Sequence, residues 1–276
     1  MALNLAAVGK EWGPEVFGYD WRDVALYALG LGAGNEDLDF VYEKNMKVYP
    51  TFAIVPVYPV MYWIVNETQL DLTMLLHAGQ KIELYKEIPP SGKLTSKAKI
   101  THIYDKVKSA LILTDVETKD ESGTPLFTNT ISFMVRGAGG FGGDRGPSVP
   151  KNVPPEGEKP DFHDEIVTFK DQNVIYRLSG DVNPLHIDPD FAKLAGFDRP
   201  ILHGLCTFGV VGRSTLRKLC NNEVGKMKSF DVRFTGVVYP RDTIITEGWK
   251  MDGNQYLIQA RNQQGAEVIS AVTEIR

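Results

Sequence analysis

The sequence has few cysteines, no concentrated positive charge and no long apolar run, and each absence excludes a class of protein. Two cysteines, Cys206 and Cys220, are too few for a secreted disulfide framework and show no metal-ligand spacing. A net charge of -5 without any run of lysine or arginine argues against a nucleic-acid surface. The apolar stretch 52–65 is broken by prolines and tyrosines and is too short to span a bilayer. With no secretory signal pattern at the amino terminus, we expect a soluble intracellular protein.

Glycine and proline are concentrated near the middle of the chain and divide it. Residues 137–143 form a glycine-rich run, and prolines follow at 147, 150, 154, 155 and 160. Such a segment cannot bury a core of its own and is typical of a surface linker. We therefore predict an amino-terminal half, 1–137, a linker, 138–160, and a carboxy-terminal half, 161–276.

Each half shows a helical pattern and then a series of strand-like segments. The first half has a predicted helix at 21–29 and strands at 81–85, 95–104, 110–118 and 128–135. The second has a helix at 203–219 and strands at 229–234, 242–251, 256–263 and 268–275. This order predicts the α+β class. Either the halves are repeats of one unit, which we favour, or they are unrelated α+β domains.

The residues with the clearest catalytic chemistry lie in one irregular loop. Asp181, Asn183 and His186 lie within five positions of each other, next to Gly180 and Pro184, which disfavour regular structure. A carboxylate beside an imidazole is an acid-base pair that can move a proton near pH 7. The alternative is that Asp181 and Asn183 only form turns and His186 packs nearby.

The surrounding residues form a long, ordered set of matches to one known signature. The second-half matches are Tyr176-Arg-Leu-Ser-Gly-Asp181, Asn183-Pro-Leu-His186, Asp188-Pro189, Phe191-Ala192, Leu194-Ala-Gly-Phe197 and Pro200-Ile-Leu-His-Gly-Leu-Cys-Thr-Phe208. First-half matches include Tyr27-Ala-Leu-Gly30, Leu76-His77, Glu83-Leu-Tyr-Lys86 and Asp105-Lys106. The sequence resembles the type 2 (R-specific) enoyl-CoA hydratases, a MaoC-like family that includes the hydratase portion of peroxisomal multifunctional enzyme type 2.

The resemblance implies a fold, an activity and a set of catalytic residues. The fold is a double hot-dog, with two curved antiparallel sheets that are each wrapped around a long helix. The activity is the reversible hydration of trans-2-enoyl-CoA to (3R)-3-hydroxyacyl-CoA in fatty acid metabolism. Asp181 and His186 would be the acid-base pair, Asn183 would position the water, and Gly204 would supply an oxyanion-hole N–H at the start of a helix. Alternatively, Gly204 serves only for close helix–sheet packing.

The same resemblance implies substrate-binding residues, namely Glu43, His77, Ala78, Lys106 and Phe234. The chain departs from the family pattern at Ala78, where many relatives have glycine. The aromatic-rich stretch 52–65 either lines an acyl tunnel or belongs to the core.

The resemblance implies no cofactor and no metal, because coenzyme A enters as part of the acyl-CoA substrate. We expect no nucleic-acid partner and no membrane span, and from the family a homodimer. The location would be cytoplasmic for a free-standing enzyme, since the chain ends without a peroxisomal address, or peroxisomal for a portion of a multifunctional enzyme. The alternatives are a hot-dog acyl-CoA thioesterase and a catalytically inactive acyl-CoA-binding protein.

Overall fold

Ten antiparallel strands form one continuous sheet in the computed structural model, which describes residues 3–70, 74–148 and 152–276. The first half contributes β1 (Glu11–Tyr19), β2 (Leu75–Leu84), β3 (Gly92–Asp105), β4 (Ser109–Lys119) and β5 (Pro125–Arg136). The second contributes β6 (Phe162–Val167), β7 (Met227–Phe234), β8 (Thr243–Lys250), β9 (Gln255–Asn262) and β10 (Glu267–Ile275). The strands form where apolar and polar residues alternate along the chain. In β4, Ala110, Ile112 and Val116 are buried and their neighbours face outward.

The two halves have the same strand order. The sheet runs β1-β3-β4-β5-β2-β7-β10-β9-β8-β6. From the outer edge to the centre, the strands of each half therefore occur in the same order: first, third, fourth, fifth and second. This identity supports the interpretation of the halves as repeats of one unit. The predicted pair of sheets is joined edge to edge, because β2 and β7 pair from Gly79↔Arg233 to Glu83↔Ser229. Gly79 permits this approach, since a Cβ there would lie 2.9 Å from the Val232 carbonyl oxygen.

Helices and 3₁₀ turns occupy the sequence between β1 and β2 and between β6 and β7. The first set comprises α1 (Trp21–Gly30), α2 (Leu38–Val41), a 3₁₀ segment (Pro50–Val57) and α3 (Tyr58–Thr68). The second comprises α4 (Gln172–Tyr176), α5 (Pro189–Leu194) and α6 (Gly204–Cys220). Short 3₁₀ turns also occur at Leu5–Ala7, Arg177–Ser179, Pro184–His186 and Val224–Lys226.

The sequence pattern predicted one helix for the first half, but a different segment packs against the first-half strands. The predicted helix at 21–29 is present as α1, but α1 lies against α2 and α4. The first-half counterpart of α6 is the segment Pro50–Val57, which contacts β2, β3, β5 and α6. All eight of its residues are buried, so this part of the aromatic-rich stretch is core.

Helix α6 lies between the sheet and the first-half layer, and it is therefore buried almost all round. Two glycines allow close contact with the first half. A Cβ at Gly212 would lie 2.5 Å from Thr51, and one at Gly209 would collide with Leu31 and Tyr27. Arg213 adds a buried ion pair at 2.6 Å to Asp37, in the loop before α2.

The predicted linker contains no strand or helix at its described positions, while residues 149–151 lie outside the described part. Its first portion is anchored by Asp105, whose carboxylate accepts hydrogen bonds from the Gly140 and Gly142 amides. Its last portion is bonded to the second half, where Trp249 Nε1 donates to the Glu158 carbonyl. Within 3–70, 74–148 and 152–276, no helix has both the length and the apolar character that a membrane crossing requires.

Candidate active site

The loop between α4 and α5 is held by its own polar side chains. Asp181 Oδ1 accepts a hydrogen bond from the Asn183 amide at 3.2 Å, and Asn183 Oδ1 accepts one from the Leu185 amide at 3.0 Å. Gly180 has a φ of 128°, a value that favours glycine, and it lies directly against the Tyr58 ring. Asp181 and Asn183 therefore do form turns, as the alternative interpretation predicted. Each carries a second polar group, a carboxylate oxygen or an amide, that these turn bonds do not use.

The structure brings the predicted acid-base pair together and adds a second histidine. Ligand atoms of Asp181, His186 and His203 all lie within 4.8 Å of one another. His186 Nδ1 donates to the Ile201 carbonyl at 3.0 Å. A carbonyl only accepts, so the neutral imidazole carries its proton on Nδ1 and presents an unprotonated Nε2. Asn173 Nδ2 holds the backbone of the same histidine through a 2.6 Å bond to the His186 carbonyl.

Burial shifts the two pKa values in opposite directions. Removal from water raises the pKa of Asp181, although the facing His186 acts against this rise. Burial lowers the pKa of His186, although the Asp181 carboxylate opposes this change. Desolvation therefore disfavours the charged form of each group, which is the direction that a protonated Asp181 beside a neutral His186 requires. That state contains both an acid and a base.

His203 is a site residue that our sequence interpretation did not assign. It is fully buried, and its ring lies 3.9 Å from the His186 ring, centroid to centroid. Its Nε2 donates to the Asp181 main-chain carbonyl at 3.2 Å. A usable signal was its position directly before Gly204 in the matched segment. The distances among the three side chains would also allow a metal ion, but His186 Nδ1 and His203 Nε2 are each hydrogen-bonded to a main-chain carbonyl, which leaves one nitrogen of each ring as a possible ligand.

Gly204 begins α6 directly after His203. Its amide is one of the first-turn N–H groups that a helix leaves unpaired, and within the described residues it has no hydrogen-bond acceptor. A Cβ at this position would lie 3.5 Å from the Phe234 ring, an ordinary contact. Packing therefore does not require glycine at this position.

Three predicted substrate-binding positions lie together beside Gly204. Phe234 contacts the His77 ring edge-on, with centroids 5.1 Å apart. His77 Nε2 is buried without a hydrogen-bond partner among the described residues, and burial lowers the pKa of His77 to about 4. Ala78 is the extra residue where the β2–β5 register shifts, and its φ is not positive. Alanine therefore fits this bulge without backbone strain.

The other two predicted binding residues lie apart from this group. Lys106 is in the β3–β4 turn, where its Nζ donates to the Arg145 carbonyl and lies 5.5 Å from the Tyr104 ring. Glu43 is exposed at the bend after α2, and no described hydrogen bond or ion pair links it to the catalytic loop. From the first half, Tyr58 reaches the site and forms a 3.0 Å hydroxyl pair with Tyr176.

Comparison with known proteins places both halves in named families. The model of the MFE-2 hydratase 2 N-terminal domain matches residues 17–137, and that of the MaoC like domain matches residues 151–272. A "probable enoyl-CoA hydratase 2" of Dictyostelium discoideum is 44% identical over 259 residues, covering 91% of this chain and 88% of the relative.

Two solved structures share the fold over almost the whole chain. A MaoC-like dehydratase from Phytophthora capsici aligns with a TM-score of 0.84 at 33% identity, covering 99% of this chain and 97% of its own. Full-length peroxisomal multifunctional enzyme type 2 from Drosophila melanogaster aligns with a TM-score of 0.82 at 34% identity, covering 96% of this chain but 48% of its own. The double hot-dog prediction is confirmed, and the chain belongs to the enoyl-CoA hydratase 2 family of MaoC-like enzymes.

Proposed function

We propose that this protein reversibly hydrates trans-2-enoyl-CoA to (3R)-3-hydroxyacyl-CoA, as a hydro-lyase of fatty acid metabolism such as β-oxidation. The observation that carries this proposal is the proximity of Asp181 and His186, whose ligand atoms lie within 4.8 Å of each other, beside His203, the residue that precedes α6. The family assignment supports the same reaction. Hydration requires a base for water, an acid for C2 and a donor for the thioester oxygen, and we assign these roles to His186, Asp181 and the Gly204 N–H.

The proposed steps start from one proton on the pair, held by Asp181, with His186 neutral. His186 Nε2 takes a proton from water while the hydroxyl adds to C3, and the Asn183 amide orients that water. Negative charge develops on the thioester oxygen, where the Gly204 N–H and the helix dipole stabilise it. Protonated Asp181 then delivers its proton to C2. Transfer from the imidazolium of His186 to the Asp181 carboxylate restores the starting state.

The substrate-binding roles are part of the proposal. His77, Ala78 and Phe234 would hold the pantetheine arm near Gly204, because they form one contiguous surface beside it. Lys106 would meet a phosphate of coenzyme A from the same end of the sheet. We assign exposed Glu43 a supporting role at the active-site wall. No cofactor is required, because coenzyme A is part of the substrate.

The activity is tested by following the ultraviolet absorbance of the conjugated enoyl thioester, with chiral analysis of the product. We expect the wild-type protein to give the R alcohol. Asp181→Asn and His186→Ala should remain folded and lose about 10²–10⁴-fold in kcat. Glu165→Gln, on the exposed face of β6, serves as the control and should retain full activity. Near-wild-type turnover in either site variant would contradict the assignment.

A thiol assay on the same samples separates hydration from thioester hydrolysis. Release of free coenzyme A without loss of the double bond would indicate a thioesterase and reject the proposal. We further infer the division into halves 1–137 and 161–276 with linker 138–160, an intracellular location, and a homodimer. The dimer is tested by sedimentation equilibrium, where a monomer at micromolar concentration would reject it.

A further inference from the structure

His203 joins the three parts of the proposed site physically. Its ring is packed between His186, at 3.9 Å, and Tyr176, at 5.0 Å between centroids. Its Nε2–H donates to the carbonyl of Asp181, which is the backbone of the proposed acid. Its own backbone precedes Gly204, the proposed oxyanion donor. One fully buried imidazole thus contacts the base, the backbone of the acid and the element that carries the oxyanion hole.

We propose that His203 is a positioning residue whose Nε2–H, donated to the Asp181 carbonyl, fixes the catalytic loop against the start of α6. This inference rests on the proposed hydration reaction, because it assumes that Asp181, His186 and Gly204 act on one substrate. The bond sets the separation between the proton-transfer pair and the N–H that stabilises the oxyanion. A displacement of about 1 Å in such a site can reduce the rate on the order of 100-fold.

The local chemistry favours positioning over direct proton transfer by His203. Its Nε2 proton is committed to the Asp181 carbonyl, and its Nδ1 is buried without a hydrogen-bond partner in the described residues. Burial and the adjacent His186 hold the pKa of His203 well below its ordinary value, so the ring stays neutral while the reaction runs. A neutral ring with a fixed donor is suited to hold a loop.

Two substitutions separate the hydrogen bond from the ring packing. His203→Gln can place a side-chain N–H near the position of Nε2, and His203→Phe keeps an aromatic ring between His186 and Tyr176 but cannot donate. We expect His203→Phe to lower kcat by about 10- to 100-fold with KM for enoyl-CoA within about twofold of wild type. His203→Gln should recover most of that loss. His163→Phe, at an exposed histidine of β6, should leave both constants unchanged.

Hydrogen–deuterium exchange of the loop 177–187 provides a readout that does not depend on activity. The Asn183 and Leu185 amides are hydrogen-bonded within this loop, so exchange should accelerate in His203→Phe and remain near wild type in His203→Gln. If the Phe variant does not fold, His203→Met supplies a second side chain without an N–H donor.

The outcomes distinguish this inference from the proposed function. Wild-type kcat in His203→Phe, or unchanged loop exchange, would overturn the positioning role. Loss of activity in His203→Gln equal to that of Asp181→Asn would also overturn it, because the imidazole would then take part in the chemistry. A wild-type protein that hydrates no enoyl thioester would refute the proposed reaction, while accelerated exchange in His203→Phe would still support the structural link.

Discussion

Asp181 and His186 have pKa values that the same burial moves in opposite directions. In water the carboxyl group would be ionised at neutral pH and could not donate a proton. At this site the two groups compete for one proton, and desolvation favours the neutral form of each. The position of the loop, rather than the residue types alone, therefore favours the protonation states that the proposed reaction needs.

This arrangement predicts the pH dependence of the reaction. The base must be neutral, and its pKa is lowered, so activity is lost on the acid side as the pH falls through a value below the ordinary histidine pKa of about 6.5. The acid must be protonated, so activity is also lost on the alkaline side as the pH rises through the raised pKa of Asp181. In Asp181→Asn the acid is absent, so the alkaline limb should disappear from the residual activity while the acidic limb of His186 remains. The measurement is kcat/KM from pH 4.5 to 9. An acidic limb centred above pH 6.5 would contradict this account.

The first position of α6 allows the oxyanion donor to be removed with little effect on the helix. Proline is tolerated at this position because its missing N–H would be unpaired in the helix, and His203 already has the extended conformation that precedes proline. We expect Gly204→Pro to lose about 10²–10³-fold in kcat. Gly204→Ala keeps the N–H and should lose much less. Equal kcat in these two variants, measured with both folded, would exclude the backbone donor.

Single residues differ in how far they could be predicted. Asp181, Asn183, His186 and Gly204 were chosen from the sequence pattern, and the structure places Asp181 and His186 within reach of each other and next to the residue that precedes Gly204. Their catalytic roles remain predictions. His203 was missed because its importance lies in a ring contact with His186 and a bond to a carbonyl 22 residues away, whereas the matched segment indicated only its position before Gly204.

At the scale of elements, the buried ion pair between Arg213 and Asp37 connects α6 to the loop before α2. The paired side chains are 8% and 9% exposed, and the Asp37 carboxylate also accepts the Gly34 amide, while Arg213 donates to the Leu31 carbonyl. Removal of one partner leaves an uncompensated buried charge, which is far more costly than loss of a surface pair.

We therefore expect Asp37→Ala to lower the free energy of unfolding by about 3–5 kcal/mol. The matched control is Asp39→Ala, two residues away, whose ion pair with Lys47 has side chains that are 59% and 39% exposed. This control should lose no more than about 1 kcal/mol. Urea denaturation of both variants provides the test. A loss at Asp37 no larger than that at Asp39 would show that the buried pair does not hold α6.

The strands that the sequence analysis missed are β1 and β6, the two edges of the sheet. An edge strand buries less of its surface, and in β6 one of the buried positions is the charged Asp164, which hides the apolar alternation. In β1 most residues are exposed, and β6 has only six residues. The eight inner strands were predicted within a few residues, because a strand with a neighbour on each side has a strongly specified register. The exception is β2, which begins six residues before its predicted start.

For the whole molecule, three histidines that burial keeps neutral make stability depend on pH. The pKa values of His77, His186 and His203 are lowered in the folded state. The unfolded chain binds protons at these positions near pH 6.5, whereas the folded protein does not. The free energy of unfolding should therefore fall as the pH drops below about 6.5, with at most about 1.4 kcal/mol per pH unit from each histidine. The raised pKa values of Asp181 and Asp231 oppose this trend.

Substitution of His77 isolates the contribution of one histidine to the pH dependence of the free energy of unfolding. Between about pH 6.5 and its folded pKa of about 4, wild type should lose stability more steeply than His77→Phe, whose ring fits between Phe133 and Phe234. His163→Phe is the control, because His163 should change the stability with pH in the opposite direction. Its neighbours Glu165 and Glu247 raise the pKa of His163, so its contribution is present at low pH and lost as the pH rises. Equal slopes for wild type and His77→Phe would refute the effect.

The sequence alone determined the α+β class, the inner strands, the long second-half helix and the loop that carries Asp181, Asn183 and His186. These features are encoded locally, in side-chain periodicity, turn-forming residues and short spacings. Only the tertiary structure decided that the halves share one sheet through β2 and β7, that Pro50–Val57 is the first-half core segment, and that His203 links the loop to α6. Each of these depends on contacts between residues far apart in the chain, where burial and approach distance, rather than neighbouring sequence, set the free energy.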